Sequence, residues 1–162
     1  MMVKFEENTI GVTINSYRKL KDELVDRYRH RICMIGVQTS DATLGFFIHD
    51  EDTDEWVFTG DGFRSDGFGE GGYGYRAAID LIRDFGLLRH LSIREEVLDI
   101  YDYAPNDCRE IREAGGFDDV REAVGYHPVN RGTQELLDGF AEENADLIVV
   151  TPHVVPREYG GY

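Results

Sequence analysis

Residues 31–60 read RICMIGVQTSDATLGFFIHDEDTDEWVFTG. Three short runs rich in β-branched and aromatic residues, RICMIGVQ, TLGFFIHD and DEWVFTG, are parted by the polar turns TSDA and EDT. Strand formers bounded by turn formers predict β-strands, and connections this short join antiparallel neighbours. The stretch therefore predicts a meander. RICMIGVQ has apolar residues for both faces, as a central strand does, whereas DEWVFTG alternates around Trp56 and Phe58.

A sheet with apolar faces needs covering, and the flanking sequence supplies helices. Upstream, NSYRKLKDELVDRYRHR spaces Tyr17, Leu20, Leu24 and Tyr28 three or four residues apart behind the capping residues Asn15 and Ser16, which predicts an amphipathic helix. Downstream, YRAAIDLIRDFG gathers Ala78, Ile79, Leu81 and Ile82 on one side and places Gly86 as a C-cap. LSIREEVLDIYDY fits two readings: Ser92 with Glu95 forms a capping box, VLDIYDY fits a strand, and the helical reading is preferred. NDCREIREAGGFDDVREAVGYHP predicts broken helical pieces about Gly115 and Gly116, ending at Pro128. RGTQELLDGFAEENA predicts a helix capped by Thr133, and ADLIVVTPHVV a buried strand closed by Pro156. At 162 residues the chain suits one core. The expectation is a single α+β domain over residues 1–162, an antiparallel meander-containing sheet with helices packed mainly on one face.

Charge bounds the setting. The formal net charge is -15 and the pI about 4.6. The only lysines are Lys4, Lys19 and Lys21; arginine supplies the other positive charges. So acidic a fold repels itself, and molar salt, with a Debye length of about 3 Å, relieves the repulsion. In composition the chain resembles proteins of halophilic archaea and their viruses, although composition names no family and an ordinary acidic protein remains an alternative. Broad nucleic-acid binding is disfavoured, because neutralising phosphates takes a clustered basic face. No apolar run approaches the roughly 20 residues of a membrane span, and MMVKFEENTIGV lacks the features of a secretory signal, so a cytoplasmic or virion protein is expected. Cys33 and Cys108 lack CxxC spacing and predict two reduced thiols.

The candidate site is DGFRSDGFGEGGYGYR, residues 61–76. Seven glycines, Gly60, Gly62, Gly67, Gly69, Gly71, Gly72 and Gly74, fall within fifteen positions, where average usage gives about one. Read as a loop leading into a helix, the segment would bring backbone amides and the positive end of the helix dipole to an anion. Gly69, Gly71 and Gly74 match GxGxxG in form, but no parallel strand leads directly into them, which excludes the dinucleotide fold; no phosphate-loop motif is present either. Arg64 and Arg76 offer planar forks, and Phe63, Phe68, Tyr73 and Tyr75 offer faces on which a base could stack. The predicted ligand set is Arg64, Phe68, Gly69, Glu70, Gly71, Gly72, Tyr73, Gly74, Tyr75 and Arg76. The competing reading is an exposed loop pinned to the sheet by its aromatics, its arginines paired with acids.

Other motifs are weaker. Asp50, Asp52 and Asp54 open like a calcium-binding loop, but Glu55 stands where glycine is required and Asp61 where glutamate is, so a solvated hairpin turn is expected. The five histidines form no metal-binding spacing, and no nucleophile motif is present. No cofactor, metal ion or catalytic residue is predicted; an enzyme would need Glu70, Asp66 or Asp61 as acid-base groups. The leading expectation is a non-enzymatic binding module for a small nucleotide-like anion in a halophilic archaeon or its virus. The alternative is a structural or assembly protein whose Gly-aromatic segment and C-terminal tail, VVPREYGGY, contact a homo-oligomer, virion or cellular partner.

Overall fold

The computed structural model describes residues 2–98, 100, 132–144 and 151. In chain order the elements are β1 (Val3–Lys4), α1 (Thr13–Asp26), β2 (Ile32–Ser40), β3 (Thr43–Asp50), β4 (Glu55–Phe58), β5 (Phe63–Arg64), α2 (Gly69–Asp84), β6 (Ser92–Arg94) and α3 (Thr133–Glu143). The strands form one sheet in the order β1-β4-β3-β2-β6, with β5 paired to β3.

The meander stands as read: β2 pairs antiparallel with β3, and β3 with β4. The sheet as a whole is mixed, because β1 runs parallel to β4 and β6 parallel to β2. A helix separates each of these outer strands from the meander in sequence, so no tight turn dictates their direction. Ser92–Arg94 is therefore a strand, not the start of a helix. Pairing with β2 overrides the local capping signal there.

The class is α+β, with helices on both sides and two of the three described helices on one. Ile32, Met34, Leu44, Phe46 and Ile48 face Leu20 and Leu24 of α1 and Ala78, Leu81 and Ile82 of α2. Ile35, Val37, Phe47, Trp56 and Phe58 face Leu137 and Phe140 of α3; Phe47 and Phe140 stack with centroids 4.7 Å apart. Each fully buried side chain of this size contributes roughly 1.5–3 kcal/mol.

Helix ends differ in detail from the sequence expectation. α1 begins at Thr13 with Val12 at the cap, which puts Asn15 and Ser16 inside the helix. Their side chains serve tertiary bonds instead: Asn15 Nδ2 donates to Asn8 O and Ser16 Oγ to Thr9 O. The other end of α2 follows the reading. Gly86, with φ 77°, donates to Arg83 O, and Leu87 donates to Ile82 O, a Schellman closure. Gly132, not Thr133, caps α3. The broken helices of residues 106–128, Cys108 and the C-terminal tail lie outside the described residues, as does the strand of residues 145–155 except Thr151, which is exposed and in no strand.

Candidate functional site

The ground beneath the site is a buried polar seam. Residues 59–62, TGDG, lie flush on the first turn of α1, so close that a Cβ on Gly62 would meet the backbone of Val12 and Thr13. Thr13 Oγ1 donates to Gly62 O at 2.6 Å, and Gly62 N donates to Ser16 Oγ at 2.9 Å. Asp61 is wholly buried, accepting Gly11 N at 2.6 Å and Thr39 Oγ1 at 3.0 Å. Its carboxylate points into the fold, away from solvent.

The glycine stretch is a helix start instead of a loop. α2 begins at Gly69, so Gly71, Gly72 and Gly74 occupy its first two turns. Glycine within a helix costs about 1 kcal/mol relative to alanine, and close packing offsets that cost here. A Cβ on Gly72 would collide with the Gly67 backbone, one on Gly74 with Thr13 Cγ2, and one on Gly71 with the Arg64 side chain. The glycines bring α2 onto α1 and β5. This role differs from lining a ligand, and GEGGYG alone could not reveal it, because the packing partners, Thr13 and Arg64, lie elsewhere in the chain.

The predicted side chains divide into two groups. Arg64 forks onto Asp66, Nη2 to Oδ2 at 2.6 Å and Nε to Oδ1 at 3.2 Å, and Asp66 Oδ1 also accepts Phe68 N at 3.1 Å. Those hydrogen bonds, Arg64's foremost, hold Asp66 below the usual carboxylate range and raise Arg64. An internal carboxylate thus occupies Arg64, and the Phe68 amide just before α2, where an external anion was expected to meet the guanidinium. Tyr75 leans on the core between α1 and α2.

The second group faces outward. Phe68, the residue before α2, is 72% exposed, and Tyr73, in its second turn, 69%. The Arg76 guanidinium lies 4.9 Å from the Tyr73 ring centroid, and its Nε donates to Gly72 O at 3.4 Å. Arg76 forms no ion pair with a described carboxylate. Glu70 is exposed in the first turn. A groove of about 380 Å³ lies elsewhere, along α1 between Asn8, Arg18 and Asp26, and none of the predicted site residues lines it.

A third cluster escaped sequence reading. Asp50 is wholly buried at the end of β3. Its Oδ2 accepts Arg27 Nη1 at 2.7 Å and meets His30 Nδ1 at 2.6 Å; its Oδ1 accepts the amides of Asp52 and Thr53. Arg27 is held in turn by Glu23 and Glu55. The acidic turn is thus a hairpin connection whose first carboxylate is spent on this chain's own cations and amides. The clue was the i, i+4 pair of Glu23 on α1 and Arg27 at its C-cap. No known protein family, curated protein or solved structure matches the chain.

Among the described residues no helix is long and apolar enough to cross a membrane.

Proposed function

We propose that the protein is a non-enzymatic binding module for a small ring-bearing anion, nucleotide-like in chemistry, received at the start of α2. One observation carries this reading: Arg76 and Tyr73 are stacked on one another in solvent, with no described carboxylate paired to the guanidinium. A stacked guanidinium keeps edge N-H donors for a phosphate or carboxylate, and the exposed Phe68 ring adds an apolar face for a base. Asp66 moves the centre of the site away from Arg64, since an anion reaching Arg64 must displace that carboxylate. The acidic composition suits work in molar salt, in the cytoplasm of a halophilic cell or in its virus.

Thermal shift in molar KCl against nucleoside mono-, di- and triphosphates tests the proposal. A rise in Tm that Arg76→Ala and Tyr73→Ala each abolish is the expected result. Both side chains are exposed, so each variant alone should hold its stability within about 0.5 kcal/mol. A flat response across the panel sinks it. The second reading, a protein contact in an assembly, draws on the same exposed rings and on Asp66 already occupying Arg64. Loss of partner capture in Phe68→Ala, with no nucleotide response, would select it.

A further inference from the structure

Two arginines approach the same turn of α2, and they differ in what holds them. The Arg64 stem lies against Gly71, where a Cβ would stand 2.7 Å from Arg64 Cγ. Its fork closes on Asp66, Nη2 to Oδ2 at 2.6 Å and Nε to Oδ1 at 3.2 Å. Arg76 curls back to the next residue along, Nε to Gly72 O at 3.4 Å, and forms no ion pair with a described carboxylate. The Asp66 carboxylate takes the two-point grip on a guanidinium that a phosphate would take. The backbone around it is held on both sides, Ser65 N donating to Ala42 O and Gly67 N to Arg64 O, so rotation of the Asp66 side chain is enough to free Arg64.

We propose that Asp66 is a built-in competitor: it occupies Arg64 in the free protein and yields to a ligand bearing two or more phosphoryl groups, so that the site reads phosphate number. The inference rests on the reading of Arg76 and Tyr73 as the anchor. Arg64 and Asp66 keep 44% and 29% of their side-chain surface in water, and exposed pairs of this kind hold by a factor of only about five or less. A single phosphate seated on Arg76 leaves nothing to contest Arg64. A second, tethered to the first, meets Arg64 at a high effective concentration, brings more charge than a carboxylate, and displaces Asp66. Glu70, in the first turn of α2, and the net charge of -15 oppose a multiply charged ligand, and molar salt weakens both.

The test is a titration of the full chain in molar KCl with AMP, ADP and ATP, followed by NMR at the Nε–H resonances of Arg64 and Arg76 and at the Phe68 amide. AMP should move Arg76 and not Arg64. ADP and ATP should bind more tightly and move Arg64 and the Phe68 amide as well, because that amide loses Asp66 Oδ1 as its acceptor. Asp66→Asn removes the competing charge and should tighten ADP and ATP about fivefold. Asp22→Asn, an exposed change on α1 with the same effect on net charge, should tighten them by less than about twofold. If no nucleotide moves Arg76, the anchor falls and this inference with it. Equal affinity for the three nucleotides, or an Asp66→Asn protein that gains no more than Asp22→Asn, overturns the inference and leaves the anchor standing.

Discussion

Arg27 and Asp50 meet in the interior, Nη1 to Oδ2 at 2.7 Å, and join the residue that caps the C-terminus of α1 to the end of β3. The carboxylate is wholly buried and the arginine nearly so. Removing one partner of such a pair strands the other's charge away from water. Asp50→Ala should therefore cost about 3–5 kcal/mol, read from urea unfolding near neutral pH.

The same group gives the fold an acid limit. Burial pushes Asp50 upward, but hydrogen bonds from His30, Arg27 and the Thr53 amide outweigh it and leave the carboxyl below its ordinary 3.8. A group more acidic in the folded state contributes fully above its unfolded pKa and loses that contribution as pH falls through the folded one. Urea midpoints should therefore hold near pH 6 and drop progressively below about pH 4. Asp50→Asn, weaker at neutral pH, should show a shallower acid limb.

Two glycines separate packing from helix propensity. Gly74→Ala drives a methyl into Thr13 and should destabilise by about 1–3 kcal/mol, despite the better helix former. Gly139, in α3, has open space where a Cβ would sit, so Gly139→Ala should stabilise by up to about 1 kcal/mol. Thermal unfolding of the two variants should move in opposite directions.

Cys33 should behave as packing. Burial pushes its thiol up to about 11, and the side chain is buried in β2. The thiolate, not the thiol, is what reacts. Iodoacetamide at pH 8 should leave the Cys33 peptide unlabelled in the native protein and label it once the chain is unfolded.

Asp138→Ala leaves the buried Val3 amide without its acceptor, a loss worth about 1–3 kcal/mol. Amide exchange at Val3 should quicken in the variant, while the protection of β2 and β3 changes little.

What was legible in the sequence was what local pattern controls. The meander could be read because turn formers bracket each β-rich run, and α1 and the close of α2 because apolar spacing and Gly86 announce them. Long-range pairing was hidden. Ser92 and Glu95 carry a helix-cap signal, yet the exposed flank of β2 draws Ser92–Arg94 into the sheet. The glycines of residues 69–74 were correctly marked as unusual, but a contact with Thr13, more than fifty positions away, decides what they do. The Asp50 cluster likewise needed residues from α1 and the hairpin turn to converge.

The tie between Val3 and Asp138 spans 135 positions. A ribosome making roughly 5–20 residues per second delivers the first of these on the order of ten seconds before the second. Throughout that interval the nascent chain exposes an unsealed border and the apolar surface destined for Phe140 and Leu137. Chaperone engagement during translation should concentrate on that window and end as the final described helix clears the exit tunnel.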